Sequence, residues 1–103
     1  MAVMQLIQVD QVALDQLCQR WKIARLELVG SFSPTANEIT LVATFESGAR
    51  RSLIDHARLE RELGELFVRK VDLVSRSVIE AMPNALRRSA ILSNINPIPL
   101  YRR

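Results

Sequence analysis

Leu26-Glu27-Leu28-Val29-Gly30-Ser31 is followed by Glu38-Ile39-Thr40-Leu41-Val42-Ala43-Thr44-Phe45 and, beyond a helical stretch, by Lys70-Val71-Asp72-Leu73-Val74. Each segment reads as a strand, rich in aliphatic and β-branched residues with turn formers at its ends. In the first, Leu26 and Leu28 share one face and Val29 turns the other way, before Gly30-Ser31 closes the strand in a tight turn. In the second, Ile39, Leu41, Ala43 and Phe45 form one face, and Glu38, Thr40, Val42 and Thr44 form the other. Ser33-Pro34-Thr35-Ala36-Asn37 is turn chemistry. Its shortness makes the first two strands antiparallel neighbours. The intervening helix makes the second and third parallel, joined by a right-handed crossover.

The helices follow from caps and periodicity. Asp10 caps a first helix in which Leu14, Leu17, Cys18 and Trp21 fall at i, i+3, i+4 and i+7, a single apolar stripe. Ser52-Leu53-Ile54-Asp55 is a capping box. The helix it opens runs to about Phe67, with Leu59, Leu63, Leu66 and Phe67 inward and Leu53 and Ile54 beginning the same stripe. Arg58 with Glu62 and Arg61 with Glu65 form i, i+4 pairs on the wet face, worth roughly 0.2–0.5 kcal/mol each. Gly64 weakens this helix locally. Ser77 to Ala81 is a short helix or turn stopped by Pro83, and Asn84 caps a last helix over Ala85 to Ser93 with Leu86, Ala90 and Ile91 inward. Asn96-Pro97-Ile98-Pro99 is extended, because each proline disfavours helix at the residue before it. The class is α/β (α+β): a small mixed sheet with helices packed on it.

The 103 residues suit one domain, residues 1–103, with a real but modest core. No apolar run approaches a membrane span. The start, Met1-Ala2-Val3-Met4-Gln5-Leu6, lacks the basic opening of a secretory signal, so a cytoplasmic location is expected. The single Cys18 cannot form an internal disulfide. One His and one Cys do not make a zinc site or a Cys/His nucleophile; His56 reads as packed at the rim of the helix stripe. Net charge is +3, with Arg87, Arg88, Arg102 and Arg103 concentrated at the end of the chain. A basic end favours nucleic acid or an acidic partner, or is simply a solvated surface. The interleaved aromatics of a single-strand binder are missing.

The ordered set resembles the minimal nucleotidyltransferases of the DNA polymerase beta superfamily. The resemblance runs from Val9-Asp10-Gln11 through the Gly30-Ser31 turn, Ser52-Leu53-Ile54-Asp55, Ala57 to Leu63, and Arg69-Lys70-Val71-Asp72-Leu73-Val74, to Leu86-Arg87-Arg88-Ser89-Ala90-Ile91-Leu92 and Leu100-Tyr101. Family members carry a Gly-Ser turn for the nucleotide, an Asp-x-Asp pair on the second strand and a third Asp on the third. That implies nucleotide-binding roles for Gly30 and Ser31 and a catalytic, metal-binding role for Asp72; alternatively Gly30-Ser31 is only a turn. Nucleotidyl transfer by such enzymes uses two magnesium ions held by clustered carboxylates.

The chain departs from the family where chemistry would occur. The Asp-x-Asp positions are Glu38 and Thr40, both degenerate, and Thr40 is a poor magnesium ligand. Loss of one fixed carboxylate beside two cations costs on the order of 10²–10⁴ in rate. The loop after Ser31 carries no Arg or Lys, and Phe32 stands at a usually basic position, where an exposed aromatic would make an interface anchor. The resemblance implies a non-catalytic antitoxin-type partner of a HEPN ribonuclease, acting by protein contacts and needing no cofactor, with self-association as a further contact mode. Two alternatives stand beside it. One is a weak transferase of AMP from ATP to a protein, using magnesium on Glu38 and Asp72. The other is a small basic nucleic-acid-binding module.

Overall fold

The computed structural model describes residues 9–30, 37–48 and 52–103. Its elements, in chain order, are α1 (Gln11–Arg20), β1 (Ile23–Leu28), β2 (Glu38–Phe45), α2 (Leu53–Phe67), β3 (Lys70–Ser75), α3 (Arg76–Glu80), α4 (Ala85–Ser93) and β4 (Tyr101–Arg102). The four strands form one mixed sheet in the order β3-β2-β1-β4. β1 is antiparallel to β2 and to β4, and β2 is parallel to β3. The first strand starts earlier than its apolar run suggests, at Ile23. β4 was not anticipated: two residues carry no period, and only pairing with Arg25 and Leu26 makes them a strand.

Local chemistry sets the helix starts. The Asp10 carboxylate accepts from the backbone N–H groups of Val12 and Ala13 at 3.0 and 3.3 Å. The reciprocal Ser52–Asp55 capping box is formed on α2, and Asn84 accepts from Arg87 N–H on α4.

One face of the sheet holds the core. Leu14, Leu17 and Cys18 of α1 and Leu59, Leu63 and Phe67 of α2 pack on Leu26, Leu28, Ile39, Leu41, Ala43, Val71, Leu73 and Tyr101. Full burial of each large side chain contributes roughly 1.5–3 kcal/mol. Val42 and Ile79 are buried outside that cluster. They mark the opposite face, where α3 packs against β2 and β3.

Several sequence expectations need correction. Leu53 and Ile54 do not join the inner stripe of α2; they are 90% and 66% exposed, because the first turn projects beyond the sheet. Glu62 does not serve Arg58. It turns to α1, where it pairs with Arg20 and accepts from Trp21 Nε1 at 3.3 Å. Helix α4 buries no residue, and Leu86 is 85% exposed, so its apolar positions do not point inward. Gly64 does more than weaken a helix. A Cβ there would lie 2.9 Å from the backbone oxygen of Arg69, so glycine lets α2 approach the start of β3 closely.

The edge of β3 is capped by side chains. Glu60 Oε2 accepts from Leu73 N–H at 2.8 Å, and His56 Nε2 lies 3.0 Å from the Leu73 carbonyl. A carbonyl only accepts, so Nε2 carries the hydrogen. His56 is thus a structural residue that removes a pairing point from an edge strand.

Two outcomes follow from this packing. Gly64→Ala should lower stability by about 1–3 kcal/mol in urea unfolding, since the backbone must move to accept the methyl group. The Cys18 thiol is pushed up from 9.0 to about 12 by burial and, secondarily, by the Asp15 charge. The folded state therefore keeps its proton where the unfolded chain loses it, so stability should fall as pH rises from about 9 toward 12. In native protein at pH 8 the thiol should resist a disulfide reagent that titrates it completely in urea.

Candidate functional site

The β2–β3 register places the sequence-predicted residues. Thr40 is directly opposite Asp72, and Glu38 is directly opposite Lys70. Directly paired residues on parallel strands about 4.8 Å apart point to the same face. Glu38, Thr40 and Asp72 thus lie together on the face away from the α1–α2 core. Asp72 is exposed, so this acid within an apolar strand bears no burial cost, and no ion pair engages it among the described residues. Glu38 is also exposed and sits 4.0 Å from Lys70 Nζ, a pair of little energetic worth at such exposure.

The Gly30 turn is held beside these residues. Val29 N–H donates to Thr40 O at 3.0 Å, and Gly30 N–H donates to Asn94 O at 2.6 Å. Gly30 has φ +75°, a left-handed conformation that glycine adopts without strain. Asn94 is the C-cap of α4, so the last helix is anchored at the turn although it buries no side chain. Ser31 and Phe32, the expected nucleotide and interface residues, lie outside the described residues.

Two magnesium ions need clustered oxygen ligands. Thr40 offers a neutral hydroxyl and Glu38 is matched by Lys70. Among the described residues no three His, Cys, Asp or Glu side chains group closely enough to hold a metal ion. Among the described residues the donor set does not fit the family's two-metal centre.

Sequence reasoning missed Glu27. It lies on β1 opposite Val42, on the same face as Thr40, and is only 4% exposed. Its two oxygens are held separately: Arg76 Nη1 donates to Oε1 at 3.2 Å, and Arg25 Nε lies 3.2 Å from Oε2. Arg76 opens α3, so the ion pair ties that helix to β1 across the sheet. An acid between the inward-facing Leu26 and Leu28 of an apolar strand was the available signal. Its partners lie 2 and 49 positions away and could not be paired from the sequence.

The sheet order and the acid-bearing face define a nucleotidyltransferase-type domain. More narrowly, the fold is that of the minimal nucleotidyltransferases. The chain is similar to a solved structure described as a minimal nucleotidyltransferase, at 28% identity and TM-score 0.62, covering 94% of this chain and 96% of that one. It is also similar in fold to a mutant of the MntA–HpeT toxin–antitoxin, at 17% identity and TM-score 0.62, covering 92% and 75%. A third similar structure is the tri-AMPylated HEPN toxin of Shewanella oneidensis in complex with MNT antitoxin, at 14% identity and TM-score 0.61, covering 94% and 73%. No family model matches the chain, and no curated protein matches it. No helix among the described residues is long and apolar enough to cross a membrane.

The buried triad yields a measurable expectation. Glu27→Ala leaves two guanidiniums facing each other without their shared counter-ion. It should cost about 1–3 kcal/mol in urea unfolding, moderated because both arginines keep partial access to water.

Proposed function

We propose that this chain is a non-catalytic, antitoxin-type partner of a HEPN protein and acts through protein contacts without magnesium or ATP. The observation that carries the reading is the Thr40–Asp72 pairing. The position that should hold the second strand acid in the family pattern holds a neutral hydroxyl, directly beside the remaining Asp. The fold is shared with MNT antitoxins found with HEPN toxins, and that supports the choice of partner. A surface that keeps the antitoxin's shape while losing its ligands retains binding and loses group transfer.

The test pairs this chain with the product of its neighbouring reading frame, expected to be a HEPN-type protein. Co-expression should neutralise that protein's toxicity, and the two should co-purify in the presence of a chelator. Incubation with labelled ATP and magnesium should leave the partner unlabelled. Thr40→Asp should raise AMP transfer, and Thr40→Asp combined with Glu38→Asp should raise it further. Asp72 is exposed and free of ion pairs among the described residues, which favours the weak-transferase alternative as the second reading. Transfer by the unmodified chain that Asp72→Ala abolishes would establish that alternative.

A further inference from the structure

β4 brings a second arginine against β1. Arg25 and Arg102 are directly paired across the antiparallel ladder. Tyr101 and Leu26, the neighbouring pair, face the core, so the two arginines face the other way. Directly opposed like charges destabilise a sheet unless something compensates. Arg102 is exposed and forms no ion pair with any described residue. Among the described residues Arg25 reaches only Glu27, and its buried Nε makes no hydrogen bond despite its 3.2 Å approach to the carboxylate.

Arg76 joins the same group by donating to the other oxygen of Glu27, and its Nε donates to Glu80 at 3.3 Å. Two guanidiniums therefore hold one buried carboxylate, Arg102 stands opposite Arg25 on the adjacent strand, and a second carboxylate, Glu80, is exposed at the margin. Each guanidinium has five N–H donors in a planar fork. Among the described residues, two of these donors are engaged on Arg76 and none on Arg102. Glu27, fixed in the sheet, orients two of the forks and leaves most of their donors unused. An acceptor-rich, multiply charged tetrahedral anion matches such donors better than a carboxylate does.

We propose that Arg25 and Arg76, held by the buried Glu27, and Arg102, paired with Arg25 across the ladder, form a binding site for a phosphoryl group. It is distinct from the Thr40–Asp72 position. Arg25 and Val29, the neighbour of Thr40, are separated by four residues of strand, about 13 Å. The arginines of α4, Arg87 and Arg88, do not belong to it; Arg88 is committed to the Met82 carbonyl at 2.6 Å. The phosphoryl group belongs either to a free nucleotide or to the backbone of a nucleic acid, and the site's chemistry is the same for both. The inference is independent of the HEPN reading.

The experiment titrates the full chain, at low salt and without magnesium, with ATP in one arm and a 12-nucleotide single-stranded RNA in the other. It follows the arginine Nε–H resonances and fluorescence anisotropy. Shifts should appear at Arg25, Arg76 and Arg102. Arg102→Gln should weaken binding about tenfold, the loss of a charge-assisted contact, and Arg25→Gln with Arg102→Gln should weaken it further. Binding of RNA alone would assign the site to a nucleic-acid backbone, and binding of ATP alone to a free nucleotide. Absence of binding to both probes would overturn the proposal, as would shifts confined to Arg87 and Arg88 or variants that bind like the parent chain. Thermal unfolding of the unliganded chain is a separate check. Arg102→Gln relieves the Arg–Arg opposition and should raise the midpoint at low salt; a lowered midpoint would refute the like-charge argument.

Discussion

The parallel register between β2 and β3 is the constraint on which the remaining structure depends. It sets Ile39 against Val71, Leu41 against Leu73 and Ala43 against Ser75 on the core face. A slip of one residue would bring Val71 and Leu73 into water and press Lys70 and Asp72 against α1 and α2. The alternation of side chains makes that change all-or-none along the strand. Burying an unpaired carboxylate and losing two aliphatic contacts are both expensive. The same apolar pairing that builds the core therefore places Thr40 beside Asp72. The placement of the candidate site is thus a by-product of core packing and does not depend on which side chains occupy it.

The two faces of the sheet are stabilised differently. The core face is held by aliphatic contact with α1 and α2, and its approach is governed by Gly64, whose missing Cβ lets α2 close on Arg69. The outer face combines a small apolar contact, Ile79 near Val42, with an ionic one, Glu27 between Arg25 and Arg76. A buried ion pair contributes little net stability compared with an apolar replacement, but it is strict about geometry. Here it fixes where α3 leaves β3 and crosses toward β1. The sheet's outer edge is finished by His56 and Glu60, which occupy the N–H and C=O of Leu73 and so discourage strand addition at that point.

Charge on the outer face is arranged in two zones. Near the Gly30 turn, acids prevail, with Asp72 in no ion pair among the described residues and Glu38 offset by Lys70. At the other end of β1, cations prevail, with Arg25 and Arg76 on Glu27 and Arg102 opposite Arg25. The first zone holds Thr40 and Asp72, the paired residues on which the proposed function rests. The second arises from the chain's return as β4 and has no counterpart in the three-strand motif.

The sequence by itself determined the strand order from β1 to β3, their relative directions, the caps at Asp10, Ser52 and Asn84, and the shared face of Glu38, Thr40 and Asp72. These are local: alternation, capping and connection length are written within a few residues of each other. The tertiary structure alone decided the rest. Leu53, Ile54 and Leu86 have helical apolar spacing yet face outward, because a stripe says which residues align and not whether a neighbour reaches them. Glu62 bonds to Arg20 and Trp21, 42 and 41 residues earlier in the chain, because the fold sets the end of α1 beside it. Glu27 reads as one acid in an apolar strand until Arg76, 49 residues on, folds across the sheet. The Arg25–Arg102 opposition depends on a two-residue strand with no periodic signal. Interactions between distant segments have no sequence period, so only the folded chain brings them together.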